Sequence, residues 1–578
     1  MAADAQPSTT DEKPLNLWLL AVLGVFTGVI AGVGAWGFRM VIGLVHNVLF
    51  LGQFAFEYDA NLHTAPSPWG WAIIFVPVIG ALIVAWLVGN FAPEAKGHGV
   101  PEVMDAIYYH DGIIRPRVAA VKALASAFSI GSGAAVGREG PIIQIGSAFG
   151  STVGQLIRMS SHDRITLIAA GSGAGIAATF NAPLGGVVFA IELLLTAISA
   201  RTLMVVSAAT VTATYISQRL IGVDPSFNIP ALEQPVFQLD RPEVLLLFIP
   251  LGVIVGFLSV VFIRGIYGME DIFERIPGNY YTRHALGMIC VGVMMYILLR
   301  TTGHYYIQGV GYASIMDVLQ GVLTNPSLLL LLLVLKLLAT SLSLGSGASG
   351  GVFSPALFVG ATGGAAFGHL CMAMFPGLEI DLATFAIAGM AASIAGSTGA
   401  MLTGIIMISE MTQDSTVVLP LILAVSVASA VRRGVMRESV YTMKLIHRGH
   451  IVTEGLQSPF LGMRWAGDVM AWNFTVQGEG ATVPKGITQT ILVEKDGQVV
   501  DIYQPASQVE PGQSPETTRY ITICERDDLP TVLHAMDTAD SDIALVSRNP
   551  TASTASDVIG VLTRSRLMMV LQQQKKLL

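Results

Sequence analysis

The chain has 578 residues, 52% of them hydrophobic and only 12% charged, with a mean hydropathy of +0.63. Soluble domains carry about 25% charged residues, so this composition excludes an ordinary soluble enzyme or a nucleic-acid-binding protein and specifies a membrane protein. The formal net charge of −8 adds little, because in a lipid-embedded chain the placement of basic residues matters more than their sum.

Residues 1–14, MAADAQPSTTDEKP, are a short polar tail expected on the cytoplasmic side. They lack the basic start and cleavage site of a secretory signal, so the apolar run that follows is expected to be retained. Apolar runs that cross or nearly cross a bilayer lie at Leu15–Phe38 and Trp71–Phe91. After them come a glycine-rich loop at Gly97–Glu102 and two interrupted segments, Val121–Gly150 and Gly171–Leu193. A polar connector near Gly222–Pro242 leads to further runs at Val244–Ile263, Ala285–Leu299, Leu328–Leu344 and Val417–Val431.

This second series repeats the first. Leu335–Gly364 aligns with Val121–Gly150 without a gap, setting Lys122 on Lys336, Gly137 on Gly351, Pro141 on Pro355 and Gly146 on Gly360. Gly389–Met411 aligns with Gly171–Leu193, pairing Gly186 with Gly404 and Glu192 with Glu410. Residues 15–447 are therefore expected to form one membrane domain of two related halves, about 15–221 and 243–447. The Gly-interrupted pieces suit helices that stop part-way and line a polar cavity, since lipid-exposed irregular backbone is not tolerated. A repeat of this kind marks a transporter or channel and locates the transported species at the breaks. The four-residue glycine spacing of Gly146, Gly150 and Gly154, mirrored at Gly360, Gly364 and Gly368, is assigned to close helix packing.

Arg432, Arg433, Arg437, Lys444 and Arg448 follow the last apolar run and place the C-terminal segment in the cytoplasm. Residues 448–578 turn polar, and a βαββα order is expected over Tyr520–Cys524, Asp528–Ala539, Asp542–Ser547, Val558–Leu562 and Arg564–Leu578. Gln504–Thr518 is expected to be a mobile loop. Cys290, Cys371 and Cys524 show neither metal spacing nor a disulfide framework and are expected to be buried small hydrophobes.

Three loops share one grammar of glycines, a proline and an apolar run: Gly97-His98-Gly99-Val100-Pro101-Glu102, Gly137-Arg138-Glu139-Gly140-Pro141 and Gly351-Val352-Phe353-Ser354-Pro355. Proline is favoured at the first helical position, and glycines allow a sharp turn and close approach to a ligand. Each loop thus offers free backbone N–H groups at the positive end of a helix, and several aimed at one centre hold an anion without a full positive charge. Within that ring Glu139 is a tethered anion, blocking the path when ionised and leaving it when protonated. The plain alternative for Glu139 is a salt bridge with Arg138.

With Phe180–Glu192 (FNAPLGGVVFAIE), Gly404–Thr412 and Ser439–Leu445 (SVYTMKL), these loops resemble the CLC family of chloride channels and chloride/proton antiporters across the whole membrane domain. The resemblance implies an all-α polytopic membrane protein, a CLC-type inverted repeat of tilted, partly spanning helices. It also implies a homodimer with one anion pathway per subunit, not an enzyme. Arg519–Leu571 is similar to one CBS module, so a small cytoplasmic α/β (CBS-like) regulatory domain is expected; Ala466–Ala506 fits a partner module poorly.

Position by position, the resemblance makes Glu139 the gate. The anion-binding set is Gly97, His98, Gly99, Val100, Pro101, Gly137, Arg138, Glu139, Gly140, Pro141, Gly351, Val352, Phe353 and Tyr441, with the Tyr441 hydroxyl donating to the anion. Glu139 and His98 are the candidate proton-pathway residues. Two positions depart from the family pattern. His98 replaces a serine, and Leu193 replaces the acid that serves many proton-coupled members as inner acceptor. Leucine relays no proton, so passive channel-like conduction of chloride is expected, with chloride/proton antiport as the alternative and fluoride or nitrate transport less favoured. Glu192 and Glu410 are expected to make structural contacts. The GSGAGIA at Gly171–Ala177 imitates a dinucleotide fingerprint but lacks its soluble βαβ unit. A membrane-bound ligand sensor is the rival from another class. No metal, cofactor or nucleic-acid partner is expected; a nucleotide in the C-terminal domain has no support. The expected location is the plasma or inner membrane, multi-pass, with the C-terminal domain cytoplasmic and chloride, lipid and, for antiport, protons as partners.

Overall fold

A computed structural model describes residues 15–195, 198–223, 227, 242–414, 416–450, 452, 465–479, 489–505, 516–517, 519–525, 527, 529–547, 554–567 and 569. The expected 1–14 tail and most of the 222–242 connector lie outside these residues. The chain divides into two compact units, Met1–Leu456 and Gln457–Leu578.

The first unit is all helical. Its first half contains α1 (Leu17–His46), α2 (Val76–Phe91), α3 (Val100–Tyr109), α4 (Pro116–Gly131), α5 (Glu139–Leu156), α6 (Ser161–Phe180), α7 (Pro183–Leu193) and α8 (Ala200–Leu220). The second begins with a short α9 (Pro242–Leu246), then α10 (Phe248–Arg275), α11 (Tyr280–Thr302), α12 (Tyr312–Leu319), α13 (Pro326–Ser346) and α14 (Phe353–Met374). It closes with α15 (Leu382–Thr398), α16 (Met401–Thr412), α17 (Val418–Val435) and α18 (Val440–His447).

Among the described residues, seven helical stretches are long and apolar enough to cross a membrane. Six coincide with the apolar runs of the sequence; the seventh, Phe353–Met374, is glycine-rich and does not stand out as a run. Others, such as α7, α15 and α16, are too short to cross alone. The protein is a multi-pass membrane protein.

The repeat is visible in the packing. α5 lies on α6 and α14 on α15, while α1 packs on α8 and α10 on α17. Glycine sets the first of these distances. A Cβ on Gly146 would stand 2.1 Å from the Gly171 carbonyl oxygen, and one on Gly360 would stand 2.3 Å from that of Gly389. Without a hydrophobic force between helices in lipid, such backbone contact is what small residues supply.

The second unit holds two sheets. β1 (Phe474–Gly478) pairs parallel with β2 (Thr490–Lys495), which pairs antiparallel with β3 (Gln498–Tyr503), and β4 (Glu516–Thr517) extends that sheet. β5 (Ile521–Cys524) pairs parallel with β6 (Ile543–Ser547), which pairs antiparallel with β7 (Val558–Thr563). Two helices accompany the strands, α19 (Ala466–Val469) and α20 (Leu529–Thr538). Ile523, Val532, Met536, Val546 and Leu562 fill one core, and Leu492, Ile502, Leu545 and Val561 another. The expected βαββ order is present. Its final helix is described only at 564–567 and 569, and the expected loop lies largely outside the described residues except for β4. Of the cysteines, Cys371 alone is fully buried; Cys290 is exposed and Cys524 half-buried. Cys290 faces outward from α11, a helix apolar enough to cross a membrane whose outer face needs no core partner, which corrects the expectation that it is buried.

Candidate anion pathway

The three glycine loops meet and are tied by backbone hydrogen bonds. Gly137 N donates to Gly351 O at 2.7 Å, and Gly351 N returns to Gly137 O at 2.6 Å. These residues are repeat mates, so a two-fold relation between the halves passes through this pair. The first loop joins alongside: Gly97 N donates to Ala348 O and Gly350 N to Gly97 O, each at 3.2 Å. A Cβ on Gly140 would stand 2.0 Å from His98 O, so only glycine lets the loops touch. Gly97 and Gly99 take φ of 79° and 85°, which places the turn before Pro101 in the left-handed region that favours glycine. Val100, Pro101, Gly140 and Pro141 lie in the first turns of α3 and α5 and are buried. Val352 and Phe353 open α14 and are buried as well.

Glu139 starts α5 and is wholly buried. Its carboxylate does not pair with Arg138. Oε1 accepts from the Tyr312 hydroxyl at 2.6 Å and from the Ser354 hydroxyl, and Oε2 lies 3.4 Å from the Ser354 N–H. The carboxylate thus reaches the N-terminus of α14, where first-turn amides have no intrahelical acceptor. Arg138 instead sits over the Tyr312 ring, its guanidinium carbon 5.2 Å from the centroid, and donates to Thr179 O.

Tyr312 belongs to a fourth loop, Gly309-Val310-Gly311-Tyr312, the repeat mate of Gly97-His98-Gly99-Val100. The two continue alike to Met104-Asp105 and Met316-Asp317. Ala313 stands where the first loop has Pro101, so the glycine–proline grammar passes over it; self-comparison of the halves would have found it. A buried lysine braces each loop of this pair. Lys122 Nζ donates to Ala95 O at 3.0 Å and Gly97 O at 2.6 Å; Lys336 Nζ donates to Ile307 O at 2.9 Å and Gly309 O at 2.7 Å.

A second cluster lies on the other side of Gly140. His98 is 3% exposed, and its Nε2 is 3.1 Å from the Tyr267 hydroxyl, which donates to Val440 O at 2.6 Å. Tyr441 is 2% exposed, and its ring centroid lies 5.9 Å from that of His98. Ser439 caps α18 by accepting from the amides of Tyr441 and Thr442. Beyond the cluster, Glu102 takes Arg448 in a two-pronged ion pair (2.6 and 2.9 Å) and Lys444 at 3.4 Å. That carboxylate raises the Arg448 guanidinium above its ordinary range. Tyr267 carried no sequence signal: a tyrosine inside a long helix has no mark of its role.

The expected residues thus gather into two buried polar clusters where helix N-termini meet inside an apolar, repeated bundle. That arrangement defines a membrane transport protein for small anions. Residues 80–433 match the family described as voltage gated chloride channel. The chain is 34% identical to the H(+)/Cl(-) exchange transporter ClcA of Cronobacter sakazakii over 72% of this chain and 85% of that protein. It is 33% identical to the protein of the same name from Vibrio cholerae, over 76% and 90%. Its fold is similar to that of a slow cyanobacterial Cl-/H+ antiporter, with a TM-score of 0.65, 26% identity, and coverage of 75% of this chain and 99% of that one. A eukaryotic CLC transporter is similar in fold over 95% of this chain and 98% of that one, with a TM-score of 0.60 and 19% identity. The chain belongs to the CLC family, whose members move ions and are not enzymes.

Proposed function

We propose that the protein exchanges chloride for protons across a cell membrane, through the loops that open α3, α5 and α14, with Glu139 as the gate. The observation that carries this reading is the seat of the Glu139 carboxylate, a tethered anion held by two hydroxyls and facing an amide at a helix N-terminus. A halide needs the same donors, so carboxylate and chloride compete for them, and protonation of Glu139 releases them. The anion-binding set then comprises Gly97, His98, Gly99, Val100 and Pro101; Gly137, Arg138, Glu139, Gly140 and Pro141; and Gly351, Val352, Phe353 and Tyr441. Tyr312 and Ser354 join the gate.

The leucine at position 193 argued for passive conduction. The curated relatives are named as exchangers, which favours exchange over a channel. The intact Gly-Arg-Glu-Gly-Pro and Tyr441 favour chloride over fluoride. We further read the protein as a homodimer of the plasma or inner membrane, as the family resemblance implies, and place its C-terminal unit in the cytoplasm on the strength of the basic cluster from Arg432 to Arg448. The two strand sets of that unit share a parallel-then-antiparallel order, which supports a pair of CBS-like modules in a regulatory role.

Reconstituted protein given a chloride gradient without a proton gradient tests the reading. Chloride efflux accompanied by uphill proton movement is expected. Brisk efflux without proton movement would make it a channel, and no flux would overturn transport.

A further inference from the structure

His98 keeps one ring nitrogen without a partner. Nδ1 is buried and makes no hydrogen bond, while Nε2 faces the Tyr267 hydroxyl. A phenol has a single O–H hydrogen. Tyr267 spends it on Val440 O, at the shorter distance of 2.6 Å, and so can only accept from His98. The proton of a neutral His98 is therefore fixed on Nε2, leaving Nδ1 a bare lone pair. A lone pair repels a halide. A neutral imidazole held this way cannot donate from Nδ1.

Resting on the anion-pathway reading, we propose that chloride binds beside His98 together with a proton: the ring takes a proton at Nδ1 from water as the halide arrives, and the imidazolium donates to it. The charged groups around the ring make the two events interdependent. Burial first, and then Lys444, Lys122 and Arg448, disfavour a cation on the ring; Glu102 offsets Lys444 and Arg448 through its ion pairs, and Tyr267 and Tyr441 contribute dipoles only. Without the anion the imidazolium has no close counter-charge among the described residues; with it the pair is neutral. By linkage, binding that takes up one proton weakens about tenfold per pH unit as pH rises. Tyr267 is the positioning residue, since its hydrogen bond to Val440 sets the tautomer.

The test is calorimetric titration of purified full-length protein with chloride at pH 6 to 8, in buffers of different ionisation enthalpy. A Glu139→Gln background removes the other titrating carboxylate. Uptake approaching one proton per chloride is expected, with none in Glu139→Gln/His98→Ser. In Glu139→Gln/Tyr267→Phe, which frees the ring to carry its proton on Nδ1, binding with a flattened pH dependence is expected. Chloride binding without proton uptake in Glu139→Gln would overturn the inference alone. Absence of chloride binding in every variant would overturn the pathway reading and the inference with it.

Discussion

Glu192 and Glu410 cap each other's helices. Glu192, at the end of α7, accepts from the amides of Leu402 (3.1 Å) and Thr403 (2.8 Å) at the start of α16 and from the Thr403 hydroxyl (2.8 Å). Glu410, near the end of α16, accepts from the amides of Leu184 (3.1 Å) and Gly185 (2.6 Å) at the start of α7. Each carboxylate satisfies orphan donors at the positive end of its mate's helix, a stabilising arrangement. The reciprocity joins the halves, and it occupies both residues in structure rather than proton relay.

Glu192→Ala strands the buried amide and hydroxyl of Thr403, at about 1–3 kcal/mol for each unsatisfied buried group, and the more accessible Leu402 amide. A clear fall in melting temperature in detergent is expected, with Glu192→Gln milder because it keeps one acceptor. Equal stability of the alanine variant and wild type would show that water replaces the cap.

Tyr312→Phe removes one hydroxyl from the seated Glu139 carboxylate while leaving the ring under Arg138. A hydrogen bond to a charged group contributes about 1.5–3 kcal/mol, so the closed state should lose about ten- to a hundredfold in population. Faster chloride efflux at pH 7.5 is the expected readout.

Glu139→Gln tests the sign of the pH response. Under the proposed gating role, release of the protonated side chain from Tyr312 and Ser354 is expected to make chloride flux rise as pH falls. The amide variant should lose that dependence and all proton movement. A pH response unchanged by Glu139→Gln would assign the gate elsewhere.

Gly140→Ala puts a methyl group 2.0 Å from the His98 carbonyl oxygen. Separating the loops should abolish chloride binding in a protein that still purifies as a folded species. Lys336→Met strips the brace from the Tyr312 loop, stranding the carbonyls of Ile307 and Gly309. It should lower stability and raise leak together, whereas Lys122→Met should act on the His98 loop.

Much of this architecture can be read along the chain. Six spans are plain in hydropathy because lipid demands long apolar runs. The repeat is plain because Lys122, Gly137, Gly146 and Glu192 each return in the second half, and Glu139 stands out as an acid among glycines at a helix start. Less legible was Phe353–Met374, whose glycines serve packing and dilute its apolar signal. Tyr312 was passed over because its loop lacks the proline of its mate. What only the tertiary structure decided is which distant groups share a proton or a donor: Glu139 with Tyr312, 173 residues on, and His98 with Tyr267, 169 residues on. Periodicity encodes which face of a helix is apolar, a local property. The direction of a single hydrogen bond from Tyr267 to Val440 depends on where three segments converge, and no local pattern carries it.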